Sequence, residues 1–276
     1  MTPEQKKLLD QIPHNPHCLL MTAPALLQER KFVHRVLLAH EDAYEYLPHW
    51  YQDMPLMSAM LRRFPSNFPK LPEHLRLNVH YARAAVEGNP QMCAHVFANT
   101  PDFENLMLLA LEKDASCYAL LHPQLQEDPA FALHALRTNP VVYGHLPLPL
   151  QRTRALAQCA LDAEPSNILA VMAHFGADRE LMLQGFRGYP KSALLARADE
   201  SLRSDPTFMH ACAQISAQSL SKVAAPLRAQ LDALVASAQA ADPLSALRYL
   251  VCAQERAQLE THTPAARRIQ QSPKAL

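Results

Sequence analysis

The sequence predicts an all-α fold, an α-solenoid of about eight or nine short two-helix repeats with a helical C-terminal cap. Three observations predict it. The first is a period: taking Asp128 of the segment Asp128-Pro129-Ala130-Phe131 as a start, equivalent starts fall at Glu29, Asp53, Asn78, Phe103, Asp128, Thr153, Asp178 and Asp205, in steps of 24 to 27 residues. Self-similarity at such a period marks stacked supersecondary units. The second is an apolar side chain three residues after every start and another pair four or five further on, which is the spacing of one helix face. The third is the punctuation: Gly occurs only 5 times in 276 residues while 23 Pro collect at element boundaries. Tight hairpins need Gly, so almost no strand is expected.

Residues 1–28 read as a degenerate capping repeat, because Leu8, Leu9, Ile12, Asn15-Pro16, Leu19 and Leu26 fit the frame one period before Glu29. The repeat array follows over 29–230. In each unit a first helix opens at the start residue; Asp128-Pro129 and Asp205-Pro206 offer a capping carboxylate and then a first-turn residue that needs no donor. Its buried face carries Phe32, Leu56, Tyr81, Leu106, Phe131, Leu156, Leu181 and Phe208. Behind these come Val36-Leu37, Met60-Leu61, Ala85-Val86, Ala110-Leu111, Ala135-Leu136, Ala160-Leu161 and Gly185-Phe186. The helix should stop after about ten residues, where Pro65, Pro90, Pro140, Pro165 and Pro190 stand twelve residues past their starts.

Asn89-Pro90 and Asn139-Pro140 then open a second, short helix. It should bury Tyr44, Phe68, Cys93, Tyr118, Tyr143 and Ile168, and three residues later Leu47, Leu71, Val96, Leu121, Leu146 and Val171; Tyr51, Leu75, Leu125, Leu150 and Leu227 pack the connection. A unit of this size cannot bury its own apolar face, so stacking is obligatory. Ala-rich helices over 231–254 are expected to close the far end, and 255–276 is expected to be a polar, disordered tail.

Lys plus Arg and Asp plus Glu balance at 26 each, so no net field draws the chain to nucleic acid or an acidic bilayer. Arg35, Arg62, Arg83, Arg137, Arg154, Arg187 and Arg203 recur only loosely in the frame, which ranks nucleic-acid binding last. There is no apolar run of membrane-spanning length and the start is polar, so no membrane insertion and a cytoplasmic location are expected. Cys18, Cys93, Cys117, Cys159, Cys212 and Cys252 have no paired or metal-ligand spacing, and they read as reduced small hydrophobes. The cluster His14-Asn15-Pro16-His17-Cys18 straddles a helix boundary without a carboxylate, and no metal is expected. The isolated glycines form no phosphate loop, so no cofactor is expected either. Glu41-Asp42, Asp162 with Glu164, and Asp199-Glu200 read as caps rather than as an acid–base pair, and no catalytic residue is assigned.

The histidines are not scattered at random. Between seventeen and twenty-one residues after a start lie His49, His74, His95, His122, His145 and His174, six in forty such positions against about two expected from 14 His in the chain. Stacking turns equal frame positions into a stripe. Tyr46 and Trp50 lie in the same window but outside the core frame, and aromatics beside imidazoles are the make-up of a binding hot spot. Tyr46, His49, Trp50, His74, His95, His122, His145 and His174 are therefore the candidate binding residues. A structural duty competes: His near a helix C-terminus suits the dipole, and Trp50 could cover the core's end. The surface reading expects Trp50→Ala to weaken partner capture with little change in melting temperature.

The frame D-x-x-φ-x-x-x-A-φ-x-x-N-P-x-x-φ-x-x-L-x-x-x-L, read over 128–150 with φ apolar, resembles a tandem Asp-led 25-residue helical repeat family of unknown function found in bacteria and protists. The resemblance covers about 29 to 228, is strongest in 53–75, 78–96 and 128–150, and weakens over 178–230. Many members carry Asn-Gly where this chain has Asn-Pro. The leucine-rich variant repeat, also short, helical and Asn-Pro-containing, is the second resemblance. Neither brings catalytic residues; both imply a bacterial α-solenoid that binds. The function expected on that basis is a non-catalytic scaffold or adaptor for another protein or peptide, including a secreted effector or a toxin-neutralising or regulatory binding protein. An enzyme with a site assembled from His and carboxylates of several repeats is the alternative, and a pocket holding both within hydrogen-bond reach would mark it.

Overall fold

In this computed structural model the structure describes residues 2–262, with side chains as far as Leu259. Among the described residues every regular element is helical and there is no strand. The chain divides into two compact units, Met1–Leu150 and Gln151–Leu276, although the sequence period runs across 150 without interruption.

In the first unit the long helices are Arg30–Ala39, Met54–Arg63, Val79–Gly88, Phe103–Lys113 and Pro129–Thr138. Their N-termini follow the frame: Asp53, Asn78 and Asp128 accept from Leu56, His80 and Ala130 N–H groups with their own side chains. One start is displaced. Phe103 has no capping oxygen, and the cap is Asp102, held at φ 62°, a left-handed conformation that Asp tolerates better than most residues.

The second element of each unit is not an α-helix but a six-residue 3-10 helix: Glu41–Tyr46, Pro65–Lys70, Pro90–His95, Ala115–Leu120 and Pro140–His145. The closing bonds span three residues, as from Val96 N–H to the Cys93 carbonyl at 3.2 Å and from Leu121 N–H to Tyr118 at 3.3 Å. Six residues between a capped entry and an extended exit leave little room for an i→i−4 ladder, and the tighter helix uses them better. A third element, a single helical turn such as Glu73–Arg76 or Pro123–Gln126, forms what reads in the sequence as a connection.

The expected core residues of the repeat array are buried except Tyr51, which is half-buried, and so is one position the apolar pattern does not single out, four after each start: Val33, Met57, Ala82, Met107 and Ala132. Each long helix thus buries offsets three, four, seven and eight. Met54–Arg63 packs on Val79–Gly88, that helix on Phe103–Lys113, and that one on Pro129–Thr138; the 3-10 helices from Pro65–Lys70 to Pro140–His145 pack on one another in the same succession. Gly88 permits the close approach of the first pair, since a Cβ there would stand 2.7 Å from the Arg62 carbonyl oxygen.

Polar side chains also reach back one repeat. Lys113 Nζ donates to the Glu87 carbonyl, and Asn139 Nδ2 to the Leu111 carbonyl, each at 2.7 Å. These carbonyls lie in last turns, which lack intrahelical donors. Tyr81 donates to the Tyr51 carbonyl at 2.7 Å, tying Val79–Gly88 to the connection before the preceding long helix Met54–Arg63.

In the second unit Arg154–Ala163, Arg179–Gly188 and Pro206–Ile215 pack in that order. The frame loosens here: the 3-10 segment shrinks to Pro165–Asn167 and runs into the helix Ile168–Phe175, and Pro190 sits in irregular chain before Ser192–Leu195. The end is closed by Ala225–Ala236 and Pro243–His262, the latter packed on Pro206–Ile215. This pair starts before 231 and continues past Glu255, where a tail was expected. The run Ala253-Gln254-Glu255-Arg256-Ala257-Gln258 is rich in strong helix formers, so the helix outlasts its apolar face. The rest of the expected tail, 263–276, lies outside the described residues.

A second regularity links starts. Arg30 Nε and Nη2 donate to both oxygens of Asp53 at 2.7 and 3.0 Å, Arg154 to Asp178 at 2.8 Å and to Glu180 at 2.5 Å, and Arg179 to Asp205. The first helical residue of one repeat thus holds the cap of the next. The Arg30 hydrogen bonds set Asp53 below the usual carboxylate range, burial opposing them, with the Leu56 N–H adding to the effect. A depressed carboxyl stabilises the fold above its unfolded pKa of about 4, and the contribution disappears as pH falls through the lower folded value. Asp53→Ala should cost about 1 kcal/mol through loss of the cap. Asp53→Asn caps equally well, so its smaller deficit at neutral pH should vanish once acid protonates the wild-type carboxyl; melting curves of both proteins between pH 7 and 2 check this.

Candidate functional site

The six-residue 3-10 helices of the first unit, Pro16–Met21 and the five given above, end on Met21, Tyr46, Lys70, His95, Leu120 and His145. Because the last four of these helices pack successively on one another, their final residues form a row; Lys70, His95, Leu120 and His145 are all exposed. Close by in the chain, Val141 and Leu148 are apolar yet 56% and 58% exposed. The row is built by the local fold: the buried fourth residue of each turn, Phe68, Cys93, Tyr118 or Tyr143, fixes the turn on the core and leaves the sixth pointing outward.

Of the eight residues singled out in the sequence, Tyr46, His95 and His145 occupy this final position. The other five do not. His49 and Trp50 lie in the next turn, Pro48–Trp50, with their rings 5.7 Å apart; His74 lies in Glu73–Arg76. His122 caps Pro123–Gln126 through its Nδ1, which accepts from the Gln124 N–H at 3.4 Å. His174, in the second unit, is paired through Nε2 with Gln151 Oε1 at 3.0 Å. Among the described residues no hydrogen bond or ring contact joins one of these six histidines to another. Tyr46 is itself engaged, its hydroxyl 2.7 Å from His17 Nδ1.

Trp50 has a structural duty. It is half-buried, and its indole N–H donates to the Leu27 carbonyl at 2.9 Å, tying the turn after one 3-10 helix to the segment before Arg30–Ala39. Trp50→Ala is therefore expected to lower stability by roughly 2 kcal/mol, where the surface reading expected little change. Trp50→Phe, which keeps the ring and loses the donor, should lie between the two in thermal melts.

Lys70 and Leu120, like His95 and His145, stand seventeen residues after their starts; their residue types, not their places in the frame, kept them out of the candidates. His145 also stands close enough to the start of the preceding turn to touch its electrostatics. Asp114 is held below the usual carboxylate range first by the Ser116 side chain and backbone, and His145 adds to this.

A separate concavity of about 400 Å³ is lined by Arg30, Lys31, His34, Arg35, Pro55 and Leu56. It has four basic groups and no carboxylate in its lining, and Arg30 is committed to Asp53. The smaller neighbouring hollow holds Glu29, which accepts from Gln5 Nε2 at 2.5 Å, but no histidine. Among the described residues the one His–carboxylate approach within 4 Å is local, His40 Nδ1 to Asp42 at 3.8 Å, and there His40 accepts the Asp42 N–H at 3.1 Å as a cap. No group of three His, Cys, Asp or Glu side chains among the described residues is placed to hold a metal ion. No described helix is long and apolar enough to cross a membrane.

No protein-family model matches this chain, and neither a curated protein nor a solved structure is significantly similar to it.

Proposed function

We propose that the chain is an α-solenoid of tandem Asp-led repeats that works as a scaffold or adaptor, binding another protein or peptide along the exposed row of its first unit. The observation that carries the reading is the row itself: Lys70, His95, Leu120 and His145 at the same place on four successively packed turns, with the exposed apolar Val141 and Leu148 near one end. Repeats that contact only their neighbours leave every unit one face for a ligand, and successive faces add to an extended surface. Imidazole, ammonium and aliphatic groups side by side suit a peptide that offers both carboxylates and apolar side chains. In the separate concavity beside Arg30, the Lys31 ammonium favours an acidic partner as well.

A triple variant, His95→Ala with Leu120→Glu and His145→Ala, tests this, because all three side chains are exposed. Wild type and variant are used as bait in the native cell extract, and captured proteins are quantified by mass spectrometry beside melting curves of both baits. The reading expects a protein whose capture falls at least about tenfold with the melting temperature little changed. Equal capture by both baits would remove the row from the binding surface.

A further inference from the structure

Two of the six cysteines come together although the sequence gives them no paired spacing. Cys93 is the fourth residue of Pro90–His95 and Cys117 the third of Ala115–Leu120, and these two 3-10 helices pack on each other. Cys93 is 3% exposed and Cys117 fully buried. The fourth position is aromatic in the neighbouring turns, as Tyr44, Phe68, Tyr118 and Tyr143. At Cys93 the aromatic is replaced by a small thiol, and on these two packed turns the Cys93 and Cys117 thiols lie near enough to act on each other electrostatically.

We propose that Cys93 and Cys117 form a modification site, a dithiol that a small-molecule disulfide oxidises to an intramolecular disulfide stapling two adjacent repeats. The thiolate of one cysteine attacks the oxidant RS–SR, forming a mixed disulfide and expelling RS⁻, which takes up the released proton. The second cysteine, deprotonated in turn, attacks the protein sulfur of that mixed disulfide and expels the second RS⁻. The two protein thiols lose two electrons and two protons, and the oxidant leaves as two RSH. The neighbouring sulfur makes the second step intramolecular, so the mixed disulfide is short-lived.

The surroundings set the rate. Burial pushes the Cys93 thiol up to about 12 and raises that of Cys117, so thiolate is scarce while both turns are closed. Oxidation therefore waits on local opening and should be slower than at Cys252, which is exposed. Once formed, the bond links residues 93 and 117 and restricts the unfolded chain more than the folded one, so the first unit melts later.

The experiment uses the full chain with Cys18, Cys159 and Cys252 replaced by Ser, incubated with oxidised glutathione to completion a few degrees below its melting temperature. Non-reducing digestion and mass spectrometry should find one cross-linked species joining the peptides of Cys93 and Cys117, lighter than the reduced pair by two hydrogens. The oxidised protein should melt roughly 6 °C above the reduced protein. A further Cys117→Ala change should abolish that difference, and because each variant is compared with its own reduced form, any destabilisation by the substitution cancels. Glutathione adducts without a cross-link, a cross-link to Cys212 instead, or unmodified thiols at completion would each overturn the proposal.

Discussion

Phe68→Ala is expected to destabilise the first unit by about 3–5 kcal/mol, the range for emptying a fully enclosed aromatic site. Phe68 has no exposed surface, and its 3-10 helix Pro65–Lys70 packs against its own long helix Met54–Arg63, the next one Val79–Gly88, and the next 3-10 helix Pro90–His95. No single repeat supplies that enclosure, so the cavity opens toward two repeats at once. A decrease of roughly 10 °C in melting temperature follows for a unit of this size. Phe68→Leu, which keeps most of the volume, should recover the greater part of it. A loss no larger than that of an exposed substitution would mean that the 3-10 helices do not carry the core.

Gly185→Ala is expected to destabilise the second unit by roughly 2 kcal/mol, opposite in sign to the gain of about 1 kcal/mol that Ala brings over Gly in an open helix interior. Four other first helices place Ala at this frame position, as Ala85, Ala110, Ala135 and Ala160. Here a Cβ would meet the Ile168 side chain at 2.5, 2.7 and 2.8 Å. The cause is one repeat back, where the helix Ile168–Phe175 replaces most of the 3-10 helix and directs Ile168 into the space a methyl group would fill. A double-mutant cycle separates the contact from any general intolerance of the site. In an Ile168→Ala background Gly185→Ala should cost nothing or stabilise; an unchanged penalty there would show that Ile168 is not what the methyl group meets.

The start residues and the apolar offsets were legible in the sequence because each follows from one side chain's local physics. Asp53, Asn78, Asp128, Asp178 and Asp205 cap helices because their short acceptors reach first-turn N–H groups. The nature of the second element was not legible. Pro65, Pro90 and Pro140 end one helix and open another equally well whether the next is α or 3-10, and apolar residues three apart fit both. The candidate surface shifted for another reason: the histidines were gathered from a window five residues wide, and of them only His95 and His145 stand seventeen residues after a start, where Lys70 and Leu120 also stand. Trp50 read as a free aromatic because its Leu27 partner, a backbone carbonyl, leaves no trace in residue identity. The Arg30–Asp53, Arg154–Asp178 and Arg179–Asp205 pairs were visible in principle, as Arg one residue after a start and Asp at the next.

The claim that each repeat of the first unit is held by its neighbours alone is tested most directly by hydrogen exchange, read by mass spectrometry, on Phe68→Ala beside wild type. Neighbour-only stacking predicts faster exchange in Met54–Arg63 and Val79–Gly88, a smaller change in Phe103–Lys113 and almost none in Pro129–Thr138. An equal loss of protection in all four helices would contradict it, because the unit would then share one indivisible core.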